Sequence, residues 1–229
     1  MFNPTDYFDL AGCEYADLFA GVRYVWQALE RLEEYIDERL VPEILGRVAP
    51  GAFVSDRVWL GPGAVVEPGA VIKGPAIIGA GTVVRHGAYI RESCLIGRDC
   101  VVGHATEIKR SVMLDGSQAP HFNYVGDSIL GRRTNLGAGT RCANMKNDHS
   151  TVVVRASGRA VDTGLSKLGA VLGDDVQTGC NVVTSPGTLV GPGCRVYAGA
   201  ILRGVYPPRT LVKVRQILEA VSLAESDPT

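Results

Sequence analysis

The chain has 229 residues, of which 28 are glycine and 12 proline, while 46% are apolar and 21% charged. Glycine exceeds its ordinary share of about 7%, yet aliphatic residues recur from end to end, which excludes a low-complexity disordered tract. With 23 basic against 24 acidic side chains, there is none of the basic excess that nucleic acid or an anionic membrane surface attracts, so neither is an expected partner.

Met1-Phe2-Asn3-Pro4-Thr5-Asp6 has neither the basic start nor the apolar run of a signal peptide, and no stretch approaches the ~20 apolar residues of a membrane span. A cytoplasmic location is expected. Over residues 14–40, Leu18, Val22, Val25, Leu29, Leu32 and Ile36 recur at alternating spacings of four and three, with Trp26 alongside. That pattern predicts an amphipathic helix ending before Pro42. Residues 1–46 are therefore read as an N-terminal helical cap over the open base of the domain that follows.

From Val48 onward aliphatic residues fall at every sixth position: Val48, Val54, Leu60, Val66, Ile72, Ile78, Val84, Ile90, Ile96, Val102, Ile108 and Leu114. Small residues, alanine, threonine or cysteine, follow most of them four places later. The register jumps by ten from Leu114 to Tyr124, resumes at Leu130 and Leu136, breaks over 142–171, and returns from Leu172 to Leu202. A period of six suits neither a helix nor a simple alternating strand. It predicts a mainly β solenoid over 47–206, with short strands separated by glycine-rich corners, seven coils in all, and an inserted arm at 142–171. The period is similar to the hexapeptide pattern of the left-handed parallel β-helix, in which three hexapeptides close an 18-residue coil; the handedness is what that resemblance implies. Residues 207–229, with Leu211, Val214, Ile217, Leu218 and Val221, predict a short C-terminal helix and tail. Six cysteines without a Cys-x-x-Cys pair read as free thiols, mostly buried.

An 18-residue coil stacks residues 18 apart, about 4.8 Å from one another. One outward column is Ser55, Lys73, Arg91 and Lys109, three adjacent cations that an anion would stabilise. A phosphate clamp and a solvated charged face both fit it. His86 and His104 form a second column, similar to the zinc-binding imidazoles of γ-class carbonic anhydrases. That family also needs a histidine five residues on, where this chain has Lys109, so no metal site is expected. The register jump predicts a bulge over 115–123 that carries His121 out of the solenoid, near the basic column.

Four segments then carry a more specific resemblance: Glu107-Ile108-Lys109, Pro120-His121-x-x-Tyr124-x-Gly126-Asp127, Asn135-Leu136-Gly137-Ala138-Gly139-Thr140, and Asn144. In this order and spacing the chain resembles the acetyltransferase domain of the bifunctional glucosamine-1-phosphate acetyltransferase / N-acetylglucosamine-1-phosphate uridylyltransferase family. Asp162-Thr163-Gly164-Leu165 and Gly169-Ala170 look like its archaeal-type members. The resemblance implies that acetyl-CoA is the co-substrate, with no metal needed, and that His121 is the general base oriented by Glu107. It implies that Arg91, Lys109, Tyr124, Asn135 and Asn144 hold an amino-sugar phosphate. Ala138, Cys180 and Ala198 would line the acetyl-CoA site, and the subunits would assemble as a homotrimer with sites near their interfaces.

This chain departs from the family at Ser150, where a lysine is usual; Lys146 or a neighbouring subunit could compensate. It also departs in having no uridylyltransferase region, so no nucleotidyltransferase activity is expected. The implied function is N-acetylation of an amino-sugar phosphate by direct transfer, in the setting of nucleotide-sugar biosynthesis. Two other readings stay open at this stage. One is a non-catalytic sugar-phosphate or nucleotide-sugar binding or assembly module; the more distant one is a γ-carbonic-anhydrase-like metalloenzyme.

Overall fold

In a computed structural model, residues 2–156 and 158–219 are described. The hexapeptides wind into a left-handed parallel β-helix of about nine turns. The first face has nine strands, from Glu43–Ile44 to Val205–Tyr206, and the third face eight, from Phe53–Val54 to Ile201–Leu202. The second face has five strands below and three above, joined by single bridges from Asn135 to Gln118 and Gln177. The solenoid already begins at Glu43–Ile44, which pairs with Trp59–Leu60, earlier than the expected boundary at 47.

Inside the prism, inward residues stack as the period predicts except where its register was broken: Val125, not Tyr124, points inward. On the third face Val54, Ile72, Ile90, Ile108, Val125, Cys142, Thr184 and Leu202 pair one above another. Aliphatic burial is the main stabilising term, and medium-sized side chains suit so narrow an interior.

The register change lies elsewhere than expected. On the first face Ile96 pairs with Met113 and Met113 with Leu130, each a step of 17. The coil has lost one residue between Ile108 and Met113 and another between Val125 and Leu130. Met113, not Leu114, points inward, and residues 115–123 do not bulge. Gln118–His121 is an ordinary strand of the second face, with His121 paired to His104. The break at 142–171 is the expected arm, an antiparallel hairpin of Val153–Ala156 and Arg159–Asp162.

Among its described residues the N-terminal segment contains only one α-helix, Gln27–Arg39, preceded by short 3-10 turns at Pro4–Asp6 and Ala16–Phe19. It does not cap the base. Leu18, Trp26, Leu29, Leu32 and Ile36 form a second core with Ile77, Leu95, Val112, Ile129, Val171 and Leu189, the outward side chains of the first face. The segment therefore lies along the side of the prism. Asp174 fastens it: Asp9 N donates to its Oδ2 at 2.8 Å, Arg132 N to its Oδ1 at 2.7 Å, and Asp174 N to Tyr7 O at 2.9 Å.

The expected C-terminal helix starts instead as a strand, Leu211–Val212, paired with Arg195–Val196. Residues 213–219 have no regular secondary structure, and 220–225 lie outside the described residues. No helix among the described residues is long and apolar enough to cross a membrane.

Replacing Asp174 by alanine removes two hydrogen bonds to a carboxylate at the seam between the two cores. Urea unfolding is expected to show a loss of roughly 2–4 kcal/mol, with the N-terminal segment becoming the first site of limited proteolysis.

Candidate active site

Two groups of side chains flank the third face. The first is at its corner with the second face, where His86, His104, His121, Ala138, Cys180 and Ala198 occupy one column. The ladder shows this directly: Phe122 N donates to His104 O, Gly139 N to His121 O, Asn181 N to Ala138 O and Gly199 N to Cys180 O, at 2.8–3.0 Å. The His86 and His104 rings are parallel, 5.6 Å apart and 10° from coplanar. Their Nδ1 atoms engage Pro68 O at 2.7 Å and His86 O at 3.0 Å. Phe122 meets His104 edge-on at 5.1 Å.

His121 is exposed, and its ring has no hydrogen bond among the described residues. Its backbone is held firmly. His121 N donates to Asn123 Oδ1 at 3.1 Å, and Asn123 Nδ2 donates to Gly137 O at 2.8 Å, with Asn123 itself only 2% exposed. Between them Phe122 takes a left-handed φ of 53°, uncommon for a bulky residue. Asn123 thus fixes the corner that presents the imidazole. It escapes sequence reading because a buried asparagine in a repeat looks like any other corner residue.

Above His121 the column becomes short side chains, leaving a strip along the corner. The strip ends in an open cavity of about 410 Å³ lined by Gly179, Tyr197, Ala198, Val214 and Gln216. The N–H of Ala138 has no partner among the described residues.

The second group lies toward the corner between the third and first faces. Lys73, Arg91 and Lys109 do stack, since Lys73 N donates to Ile90 O and Arg91 N to Ile108 O. They do not form a bare cationic column, because acids intervene. Arg91 Nη1 donates to Glu107 Oε1 at 3.0 Å and its Nη2 to Glu92 Oε1 at 3.1 Å; the Glu107 bond raises the guanidinium's affinity for its proton. Lys109 Nζ lies 3.3 Å from Asp127 Oδ2, Arg110 Nη1 lies 3.2 Å from Asp127 Oδ1, and Asn144 Nδ2 donates to Oδ2 at 2.5 Å.

Asp127 is fully buried, so the charge of Lys109 is largely spent on it. Asp127 is the organising residue that sequence reading quoted but did not single out. Its signal is an acid directly following Gly126 on the strand above the basic column. Over Gly126 the Tyr124 hydroxyl and Asn144 amide converge: a Cβ there would lie 2.6 Å from Tyr124 Oη and 2.9 Å from Asn144 Nδ2. Burial, with Glu107 and Asp127 nearby, holds the Tyr124 hydroxyl above its ordinary pKa, so it remains a donor.

Arg91, Glu107, Lys109, Tyr124 and Asn144 thus come together on the third face. His121, Ala138, Cys180 and Ala198 come together at its edge. Asn135 joins neither group; it lies on the second face between Gln118 and Gln177. Glu107 bonds Arg91 rather than His121. Lys146 Nζ donates to Ser150 Oγ and to Thr151 O at 3.2 Å, so a lysine ammonium does sit at Ser150. No group of three or more His, Cys, Asp or Glu among the described residues could hold a metal ion.

Residues 72–183 match the family model described as the GMPPB C-terminal domain. A bifunctional sugar-1-phosphate nucleotidylyltransferase/acetyltransferase of Sulfurisphaera tokodaii is 44% identical over 92 residues, 40% of this chain and 23% of that protein. A bifunctional protein GlmU of Methanococcus maripaludis is 42% identical over 193 residues, 84% of this chain and 46% of that protein. The chain therefore matches less than half the length of these curated relatives. Among solved structures, UDP-N-acetylglucosamine acyltransferase from Campylobacter jejuni is similar at 16% identity over 72% of this chain and 70% of that one, with a TM-score of 0.43.

An Asn123→Ala variant removes the side-chain bonds from His121 N and to Gly137 O, the latter keeping its bond from Thr140 N. Thermal and urea unfolding are expected to show a loss of about 1–3 kcal/mol, while the Arg91–Glu107 patch on the neighbouring strands stays folded.

Proposed function

We propose that this hexapeptide-repeat relative of the sugar-1-phosphate nucleotidylyltransferase/acetyltransferases is itself an acetyl-CoA-dependent N-acetyltransferase acting on an amino-sugar phosphate. The observation that carries the reading is the corner column. An exposed imidazole with a free ring stands at the foot of a strip of small side chains, beside a polar patch that fits a sugar phosphate.

In this reading the acetyl-CoA arm lies along Ala138, Cys180 and Ala198, which places the thioester near His121. His121 takes a proton from the sugar amine as the nitrogen attacks the thioester carbonyl. A new C–N bond forms, the C–S bond breaks, and CoA leaves as the thiol once a proton is returned to sulfur. The unpartnered N–H of Ala138 is suited to the negative charge that develops on the carbonyl oxygen. Arg91 offers the half-exposed guanidinium of the patch to phosphate, Tyr124 and Asn144 offer donors to sugar hydroxyls, and Lys146 supplies the cation expected at Ser150. Glu107 acts through Arg91, with its second oxygen left for His121.

Asn135 lies on another face, so it joins the site only if a second copy brings its second face toward this third face. Phe53, Phe122, Tyr197 and Ile201 are each at least half exposed on the third face and its corner, apolar surface that assembly would cover. A homotrimer is proposed on that basis, and light scattering on the purified chain reads it directly.

The test of activity is release of CoA thiol from acetyl-CoA with glucosamine-1-phosphate, galactosamine-1-phosphate and UDP-amino sugars. Turnover is expected with at least one acceptor, falling about 10²- to 10⁴-fold in His121→Ala. Binding of the sugar phosphate with no thiol release would make the chain a non-catalytic module instead.

Cysteine chemistry gives a second test. Cys180 is exposed, whereas burial pushes the Cys94 thiol up to about 12 and those of Cys100 and Cys142 to about 11. Alkylation near about pH 8 should therefore modify Cys180 well before these three, and saturating CoA should slow it several-fold. An unchanged rate would count against the corner strip as the CoA site.

A further inference from the structure

The hairpin arm and the upper third face border a cavity of about 440 Å³ whose lining includes Lys146, Arg155 and Arg203 and no carboxylate. We propose that this cavity is a phosphoryl-binding site, taking a mono- or diphosphate group through Arg155 and Arg203. The proposal rests on the acetyltransferase reading only for which substrate carries that phosphate.

The charge arrangement is the first argument. Lys146 is engaged by Ser150, Thr151 O and, at 3.6 Å, Asp148. Arg155 and Arg203 have no ion pair among the described residues. Two guanidinium groups and an ammonium facing one cavity repel one another. A phosphate reverses the sign of that interaction, and the planar fork of arginine matches its oxygens two at a time.

The second argument is that the arm is seated rather than loose. Val152 and Val154 are each 1% exposed and belong to the core outside the first face. Gly187, at a φ of +75°, lies so close beneath that a Cβ would stand 2.5 Å from Val152 Cγ1. Gly187 N also donates to Leu168 O at 2.9 Å and Gly169 O at 2.8 Å, and Thr163 Oγ1 to Val152 O at 2.7 Å. Strand alternation then turns Arg155 to the face opposite Val154, over the cavity. Arg203 rises from the solenoid itself, one residue after Leu202, whose carbonyl accepts from Ser185 N. The cations thus come from a rigid arm and a rigid wall, so little ordering entropy opposes binding.

The two arginines are also set apart along the column from the patch around Asp127, and of the cavity's cations only Lys146 is shared with the proposed acceptor site. Arg203 and Ser185 lie on the column of Lys73, Arg91 and Lys109, but Gly126 and Ala143 intervene. Where Asp127 has neutralised Lys109, the same column regains free cations only at Arg203.

Calorimetric titration of inorganic pyrophosphate into the full chain at low salt tests the proposal. Saturable binding is expected, weakened at least roughly tenfold in an Arg155→Ala/Arg203→Ala double variant and unchanged in Arg159→Ala, on the same hairpin but outside the cavity. All three positions are exposed, so the variants should keep the wild-type melting temperature. No saturable binding, equal affinity in the double variant, or an equal loss in Arg159→Ala would overturn it. Displacement of pyrophosphate by glucosamine-1-phosphate assigns the phosphate to the acceptor, and displacement by CoA assigns it to the donor. Pyrophosphate binding needs no acetyl transfer, so this result stands or falls apart from the activity assay.

Discussion

A parallel β-helix imposes one constraint on its sequence: each turn must bring its inward side chains back over those of the turn below, whatever happens between. From Leu60 upward two of the three corners meet it with no variation, every passage from first face to second and from second to third taking six residues; below, the passage from Ile44 to Val48 takes four. Above that first turn all variation falls at the third-to-first corner. It is one residue short after Ile108 and after Val125, two short after Leu202, and it carries the whole arm after Cys142. The polar chemistry collects at that corner too: Lys109 and Arg110 at the first shortening, Asp127 at the second, Asn144 and Lys146 at the root of the arm. At the two shortened passages Arg110 and Asp127 take left-handed backbone, with φ of 42° and 47°, as Ser93 does in the full-length passage below, and their side chains meet. The Asp127 carboxylate is a consequence of that tightening. Buried among two cations and an amide, it orders Lys109 and Asn144 but leaves Lys109 little charge for a ligand.

The architecture was legible because a period of six has few physical solutions and a narrow prism selects medium-sized aliphatics. The shift at Met113 was not, because Val112, Met113 and Leu114 are all apolar. The first face is buried on both sides, by the prism within and the N-terminal segment without, so its strands read as continuous hydrophobic runs. A run of three such residues fits the six-residue count at Leu114 as well as the true inward position one earlier. Placing inward residues at Leu114 and Tyr124, in place of Met113, Ala119 and Val125, turned two regular steps of six into one step of ten, and so made a bulge of an ordinary strand.

The same two-sided burial explains the N-terminal segment. The amphipathic face of Gln27–Arg39 announces that the helix packs on something, but periodicity says nothing of the partner. The partner was written elsewhere, in the outward column of Ile77, Leu95, Val112, Ile129, Val171 and Leu189, whose apolar character a solvent-facing column would not have. Read together, helix and column specify a side-on packing that leaves the second and third faces open. Those are the faces that carry the polar patch around Arg91 and Asp127, the histidine corner and Asn135.

Within the candidate site, stacking arithmetic found residues but not their electrostatic partners. Lys73, Arg91 and Lys109 stand where a step of 18 puts them. The acids that pair with them come from other offsets: Glu107 lies on the next turn two positions before Lys109, and Asp127 arrives there only because the coil is 17 residues long. Repeat geometry transmits side-chain direction reliably along a column, whereas charge pairing runs between columns and across corners, where single-residue changes in coil length decide which atoms meet. Arg91 and Lys109 begin as equivalent members of one stack and end in different roles. Arg91 keeps a guanidinium at the surface, 32% exposed, while Lys109 is 14% exposed against a buried carboxylate. Beside Asp127 the cation left at the surface is therefore Arg91, itself paired with Glu92 and Glu107, and Lys109 serves mainly to hold the corner in shape.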